Sequence, residues 1–505
     1  MTEEKKKNES KSENSGDAKD RDKDKKPPEH HDDAVVETHH STTVGGETLS
    51  YTATAGRIVL KEDDDTKKAS FFFTAYTLDG VDDPAARPIV FAFNGGPGSS
   101  SVWLHLGVLG PKLVEFDEKG NGVSTPGRLI DNDHTLLTHA DLVFIDPVST
   151  GFTRAIDKDE EKAYHHFEKD IEAVGDFVRR YLTTYERWAS PKFLAGESYG
   201  TTRSAGLAGY LQSRYGLYLN GVILISSVLN FQTIALDSKT YTFHRGNDLP
   251  YVLYLPTYAA TAWYHKTLAP DLQQRELPDL LREVEAFAEN EYLLALEQGS
   301  RLDQERFDEI ADTLARYTSL STDFVKRSEL RIEKFHFMKE LLRDRGLTVG
   351  RLDSRYQGVD RFDVGSMLEH DPSLDVWMGP FSAMLNDYMR RDLGYESDLV
   401  YEILNPKVWP WNYENFQNTY VDVSETLRDT MTKNPFLRVY IASGFFDLAT
   451  PYFATEHTIA HLGLEPALRD NIEVSYFDAG HMMYVHRPSI ERLGEDLRNF
   501  VERAT

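Results

Sequence analysis

Residues 192–211 read KFLAGESYGTTRSAGLAGYL, and the fold turns on how that run is parsed. Lys192–Ala195 has the character of a short buried strand, and Thr201–Leu211 has that of a helix. Between them lies Gly196-Glu197-Ser198-Tyr199-Gly200. As a bare pattern G-x-S-x-G is common, and taken alone it is an ordinary strand–helix turn. With a strand before it and a helix after it, the turn reads as a nucleophile elbow. The glycines are needed because the turn is sharp and a Cβ on either side would collide with neighbouring strands. Ser198 is thereby lifted onto the first turn of the helix.

Outward from this run, other strand candidates are Ser70–Thr77, Ile89–Phe93, Leu142–Ile145, Val222–Ile225, Leu437–Ala442 and Ile472–Phe477. Between Glu160 and Tyr185, the residues Phe167, Ile171, Val174, Phe177, Val178 and Leu182 recur at helical spacing, and Ile490–Val501 closes the chain as an amphipathic helix. Strands alternating with helices predict an α/β protein whose mostly parallel sheet is covered on both faces. From about residue 233 the sequence turns charged, Tyr-rich and helical in pattern, as in Leu277–Leu296 and Arg301–Tyr317. The expected organisation is a disordered charged tail over 1–40, an α/β portion over 41–232, a mainly helical cap inserted over 233–430, and a second α/β portion over 431–505.

The chain has 505 residues, 56 Lys+Arg against 82 Asp+Glu, a formal charge of −26 and no cysteine. A chain this long can bury a large core. Its acid excess argues against nucleic-acid and anionic-membrane partners, which carry the same sign. The lack of thiols rules out a disulfide framework, a cysteine nucleophile and Cys-ligated metal sites. Residues 1–34 hold 9 Lys+Arg and 11 Asp+Glu without an aromatic residue, so they cannot bury enough apolar surface to offset their ordering entropy. No signal-peptide core or apolar membrane span is visible, which reads as a cytoplasmic protein, with secretion or a periplasmic location left open.

A nucleophilic serine needs a base, because its hydroxyl is protonated at neutral pH. His481 stands in Asp478-Ala479-Gly480-His481-Met482, just after the strand candidate Ile472–Phe477. The end of a strand is where an α/β sheet delivers its catalytic groups. Asp447 follows Leu437–Ala442 in the same way and would hold the imidazole in its reactive tautomer. The order Ser198, Asp447, His481 is that of a hydrolase triad built on such a sheet. Donors for an oxyanion would be the N–H of Tyr199 and one from Asn94-Gly95-Gly96-Pro97-Gly98, the loop after Ile89–Phe93. A phosphate loop is disfavoured there, since the Walker lysine is missing and Pro97 removes a donor.

Five segments carry a resemblance: Asn94–Ser101 (NGGPGSSS), Asp141–Phe152 (DLVFIDPVSTGF), Gly196–Gly200 (GESYG), Ser443–Pro451 (SGFFDLATP) and Gly480–Met482 (GHM). In order and spacing they resemble the serine carboxypeptidase family (peptidase family S10), over roughly residues 45–235 and 431–505. The resemblance implies an α/β-hydrolase fold that removes C-terminal amino acids from peptides through an acyl-enzyme, with Ser198, Asp447 and His481 as triad. It implies Gly96 and Tyr199 as the oxyanion hole, and Asn94, Gly95 and Glu197 as receivers of the substrate's free carboxylate. A protonated Glu197 can donate where an ionised one would repel. No metal or organic cofactor is implied, and the partners are peptides with a free C-terminus.

Four positions depart from the family pattern: Ser99 for the usual cysteine, Ala92 for a tryptophan, Val108 for a second glutamate, and Phe445 for the commoner acid before Asp447. The implied carboxylate network is thinner by one glutamate, which keeps an esterase or an acyltransferase with the same triad as the alternative. A catalytically inactive binding protein is the reading from another class. Trp263, Trp377, Trp409 and Trp411 are candidates to wall the pocket, with most of them expected in the core.

Overall fold

The computed structural model describes residues 32–234 and 246–505. Its main sheet is built from β1 (Ala34–Val44), β2 (Glu47–Lys61), β3 (Lys67–Leu78), β4 (Ile89–Phe93), β5 (Asp141–Ile145), β6 (Arg154–Ala155), β7 (Lys192–Glu197), β8 (Gly221–Ile225), β9 (Arg438–Gly444) and β10 (Ile472–Phe477). The strand order is β1-β2-β3-β5-β4-β7-β8-β9-β10, with β6 beside β3. From β5 to β10 neighbouring strands are parallel. The first three strands form an antiparallel meander that joins β5 antiparallel. The sheet is therefore mostly parallel, as the strand–helix alternation predicts.

The helices that matter for the site are α1 (Phe167–Thr184), α2 (Tyr199–Tyr215), α3 (Leu249–Tyr264), α4 (Leu277–Phe287), α5 (Gln304–Thr318), α6 (Pro372–Arg391), α7 (Ser424–Lys433), α8 (Tyr452–Ala460) and α9 (Arg487–Ala504). Both faces of the sheet are covered. Val90 and Ala92 of β4 join one apolar cluster with residues from α6 and α9, while Phe91 and Phe93 join another with residues from α1 and α2. Alternate side chains of a strand point to opposite faces, so a strand buried on both sides must be apolar throughout. This is the physical reason for the unbroken run IVFAF.

Two expected boundaries move. The tail does not extend to residue 40, because β1 pairs along its length with β2, from Ala34 opposite Arg57 to Val44 opposite Glu47. A mostly exposed edge strand needs backbone partners rather than apolar side chains, so its Thr- and His-rich sequence gave no signal. Residues 1–31, where the rest of the tail was expected, lie outside the described residues. The 233–430 block, expected as one cap, packs as more than one unit. Residues of α3, α4 and α5 form a separate apolar cluster that includes Phe446, Leu448 and Tyr452. Trp377, Phe381 and Tyr388 of α6, with Tyr401 and Ile403, belong instead to one sheet-face cluster, and Trp411, Val421 and Leu427 to the other. Periodicity marks an apolar helix face without saying which core receives it.

The parallel strands finish in register. Phe93 is opposite Gly196, Glu197 opposite Ile225, Ile225 opposite Ala442, and Gly444 opposite Phe477. The loops leaving β4, β7, β8, β9 and β10 thus emerge at one level along one edge, where open α/β sheets place their ligands.

Candidate active site

Ser198 is the single residue between β7 and α2, with φ 60° and ψ −129°. Such a backbone is costly for an L-residue, of order 1–3 kcal/mol, and persists only where its surroundings enforce it. Ser198 N donates to Ile225 O at 3.0 Å, and Ser198 O accepts from Thr201 N at 2.8 Å and Thr201 Oγ1 at 2.6 Å. A Cβ at Gly196 would overlap Gly200 O and Ser204 Oγ, and one at Gly200 would come 2.9 Å from Phe93 O. The glycines thus make room within the turn itself and for the end of β4.

The loops after β9 and β10 bring Asp447 and His481 together, with His481 Nδ1 2.7 Å from Asp447 Oδ2. Asp447 is fully buried. Its Oδ1 accepts from Ala449 N at 2.7 Å and Thr450 N at 3.0 Å, and its Oδ2 also accepts from Thr450 Oγ1 at 2.7 Å. Burial works against a charged imidazole at His481, but the Asp447 carboxylate and its hydrogen bond prevail and raise the ring's pKa. With Nδ1 donating to Asp447, Nε2 is left as the acceptor. Ser198 and His481 line one cavity of about 410 Å³. Among the described residues no hydrogen bond joins them, and such contacts commonly tighten only around substrate.

The His481 loop is gripped from both sides. Ser226 Oγ, just past β8, donates to His481 O at 2.6 Å. From the insertion, Leu352 O accepts from His481 N at 2.6 Å, and Asp353 Oδ2 accepts from Gly480 N at 3.0 Å. Buried Asp353 is paired in turn with Arg355, Nη2 to Oδ2, at 2.6 Å. A Cβ on Gly480 would overlap Leu352 O.

The other wall is the loop after β4. Gly95 packs so closely on Tyr199 N and Gly200 N that a Cβ there would overlap both. Tyr199 is the first residue of α2, so its N–H has no partner within the helix. Gly96 follows with φ 102° before a cis bond to Pro97. Gly95 and Gly96 thus line the cavity beside the start of α2, where backbone N–H groups can receive a developing oxyanion. Asn94 is buried, its Oδ1 accepts from Leu104 N at 3.1 Å, and its Nδ2 has no partner among the described residues.

Glu197 lines the same cavity and is 3 % exposed. Its Oε2 accepts from Tyr484 OH at 2.5 Å. Burial pushes its pKa up to about 7, against the opposing pull of His481 and Tyr484. Near neutrality this side chain therefore switches between donor and acceptor.

Ser99 Oγ accepts from Trp103 Nε1 at 2.9 Å. Ala92 and Val108 are buried in the sheet-face core, and Phe445 stacks on Tyr476. Of the four tryptophans named above, Trp409 lines the cavity, Trp377 and Trp411 lie in the core clusters, and Trp263 packs against the cluster of α3 to α5. Supporting residues had escaped the sequence reading. Tyr484, Thr450, Ser226 and Asp353 gave no local signal. Arg203 did give one, as a cation on an otherwise uncharged helix face: it is buried, its Nε donates to Asp170 Oδ2 at 2.7 Å and its Nη1 to Asn94 O at 2.6 Å.

Residues 47–237 match the family model described as serine carboxypeptidase, Peptidase S10. Over that stretch, less than half of the chain, the sequence resembles the serine carboxypeptidase family. It is 34 % identical over 135 residues to the pheromone-processing carboxypeptidase KEX1 of Saccharomyces cerevisiae, a match covering 25 % of this chain and 17 % of the yeast protein. It is 26 % identical over 189 residues to serine carboxypeptidase-like 46 of Arabidopsis thaliana, covering 35 % of this chain and 38 % of the plant protein. The crystal structure of the yeast Kex1 prohormone-processing carboxypeptidase superposes with a TM-score of 0.54 at 16 % identity, covering 89 % of this chain and 91 % of that one, which establishes a shared fold. No helix of the described residues is long and apolar enough to cross a membrane.

Proposed function

We propose that this protein is a serine carboxypeptidase, cutting the last residue from peptides with a free C-terminus. The observation that carries the reading is the hydrogen bond between Asp447 and His481, whose ring stands on the wall of the cavity that Ser198 also lines. In this reading His481 Nε2 takes the Ser198 proton as Oγ adds to the last peptide carbonyl. The N–H groups of Gly96 and Tyr199 receive the oxyanion, and Asp447 stabilises the imidazolium. His481 then protonates the departing amine, the C–N bond breaks, and an acyl ester remains on Ser198. Water activated by the same imidazole hydrolyses that ester, releasing the shortened peptide and restoring the serine.

Preference for the C-terminus is attributed to Asn94, Gly95 and Glu197. The unpartnered Asn94 amide is a ready donor to a carboxylate. A protonated Glu197 supplies another, and its pKa of about 7 supports that role. A pool of free-acid peptides, read by mass spectrometry, should give ladders shortened one residue at a time from the C-terminus. Amidated copies should be spared, and a fluorophosphonate probe should label Ser198. Equal cleavage of amidated and free-acid peptides, or turnover of esters alone, would move the protein to the esterase or acyltransferase reading. Absence of labelling would move it to a binding protein.

A further inference from the structure

Among the described residues Arg351 is the one permanently cationic side chain on the wall of the cavity. It comes from the insertion rather than from the sheet. The carboxylate nearest to it, Asp371, is already engaged: its Oδ1 accepts from Arg351 N and Ser373 N, both at 3.1 Å, and from Ser373 Oγ at 2.5 Å, and its Oδ2 from Leu352 N at 3.2 Å. Arg351 Nε stands 3.9 Å from Asp371 Oδ2, too far for a hydrogen bond. The side chain is 37 % exposed, and its guanidinium donates to no acceptor among the described residues. A planar fork of N–H donors is therefore held at the cavity without a bidentate partner.

Its position along the wall is specific. The next residue, Leu352, accepts the backbone N–H of His481, and Met482 continues the same wall. His481 is the group that hands a proton to the departing amine, so the departing residue lies along this side. The cavity's other walls, Leu374, Leu404, Pro406, Trp409 and Met482, offer no second cation. The charges facing Arg351 are Asp371 behind it, His481 and Glu197, and Glu197 is half protonated near neutrality. The substrate's α-carboxylate has other donors in Asn94, Gly95 and Glu197, which leaves the guanidinium free for a second carboxylate.

We propose that Arg351 determines specificity by pairing with an acidic side chain, Asp or Glu, on the departing C-terminal residue. The proposal rests on the carboxypeptidase reading above. Its test is kcat/KM on peptides identical except for a C-terminal Glu, Gln or Lys. The wild-type protein should favour Glu over Gln by about tenfold, the size of a charged hydrogen bond, with Lys below both. Added salt should shrink that ratio. Arg351→Gln should bring the Glu-to-Gln ratio near one, and Arg351→Glu should place Lys above Glu. A wild-type ratio near one overturns the proposal. So does an Arg351→Gln protein that loses Glu- and Gln-ending substrates equally, because the arginine then serves the shared α-carboxylate or positions His481. If the variants do not fold, the wild-type ratio and its salt dependence decide alone. A protein that shortens peptides without an acidic preference sinks this proposal only, whereas one that shortens none of them sinks the carboxypeptidase reading and this proposal with it.

Discussion

The loop that carries Asp447 and the turn that carries Glu197 each bury a carboxyl group beside His481, and they treat it in opposite ways. The Asp447 loop aims two backbone N–H groups, a threonine hydroxyl and the imidazole at its four lone-pair directions. The Glu197 turn provides one full-strength donor, Tyr484, and desolvation, aided by the nearby Asp447 charge, outweighs it together with His481 and Asn94, so the pKa rises to about 7. Burial raises the pKa of a carboxyl group, and the donors that follow it inside oppose that rise. One loop suits a constant orienting partner for a histidine, and the other suits a group that gains and loses a proton in the working range.

The largest effect that would break this contrast is at Asp447. Asp447→Asn should lower kcat by about 10⁴, because the amide cannot enforce the tautomer that leaves Nε2 as acceptor. Steady-state kinetics on a free-acid peptide checks this, and a loss below tenfold would mean that the imidazole is oriented by Leu352 and Ser226 through the backbone. Next in size is Asp353→Ala, which takes the buried carboxylate from Arg355 and releases Gly480. Removing one partner of a buried pair costs about 3–5 kcal/mol, to be read by denaturant unfolding. A near-neutral result would show that the insertion rests on the His481 loop without supporting it.

Glu197 sharpens the comparison through pH. Under the role proposed for Glu197, its raised pKa means that the proton it would offer a carboxylate is present below about 7 and lost above it. Peptide hydrolysis should accordingly fall by about tenfold for each pH unit above that point, while hydrolysis of a blocked ester should not follow. In Glu197→Gln that fall should vanish, and a variant retaining it would assign the titration to another group. The smallest expected effect is at Tyr484. Its hydroxyl favours the ionised form of Glu197, so Tyr484→Phe should move the midpoint upward by about half a pH unit to one unit. A downward shift in the peptide pH–rate profile would show that the tyrosine serves the protonated acid.

Where local covalent and packing rules suffice, the sequence was informative by itself. An apolar run such as IVFAF, ending in a glycine-rich loop, reads as a strand covered on both faces, and a G-x-S-x-G between strand and helix reads as a turn that presents its serine. The register of those strands then carries Ser198, Asp447 and His481 to one edge, so their common neighbourhood followed from order along the chain. Long-range contacts were not legible. Tyr484 reaches Glu197 across 287 positions, and Leu352 and Asp353 grip the His481 loop from within the insertion. Arg351 became visible as a cavity residue only through that grip. The edge strand β1 was hidden for a related reason, since its pairing is made by backbone groups that every residue possesses. Local pattern records which side chains avoid water; only the tertiary structure decides which distant groups meet in the space that remains, and hence how many donors each buried charge obtains.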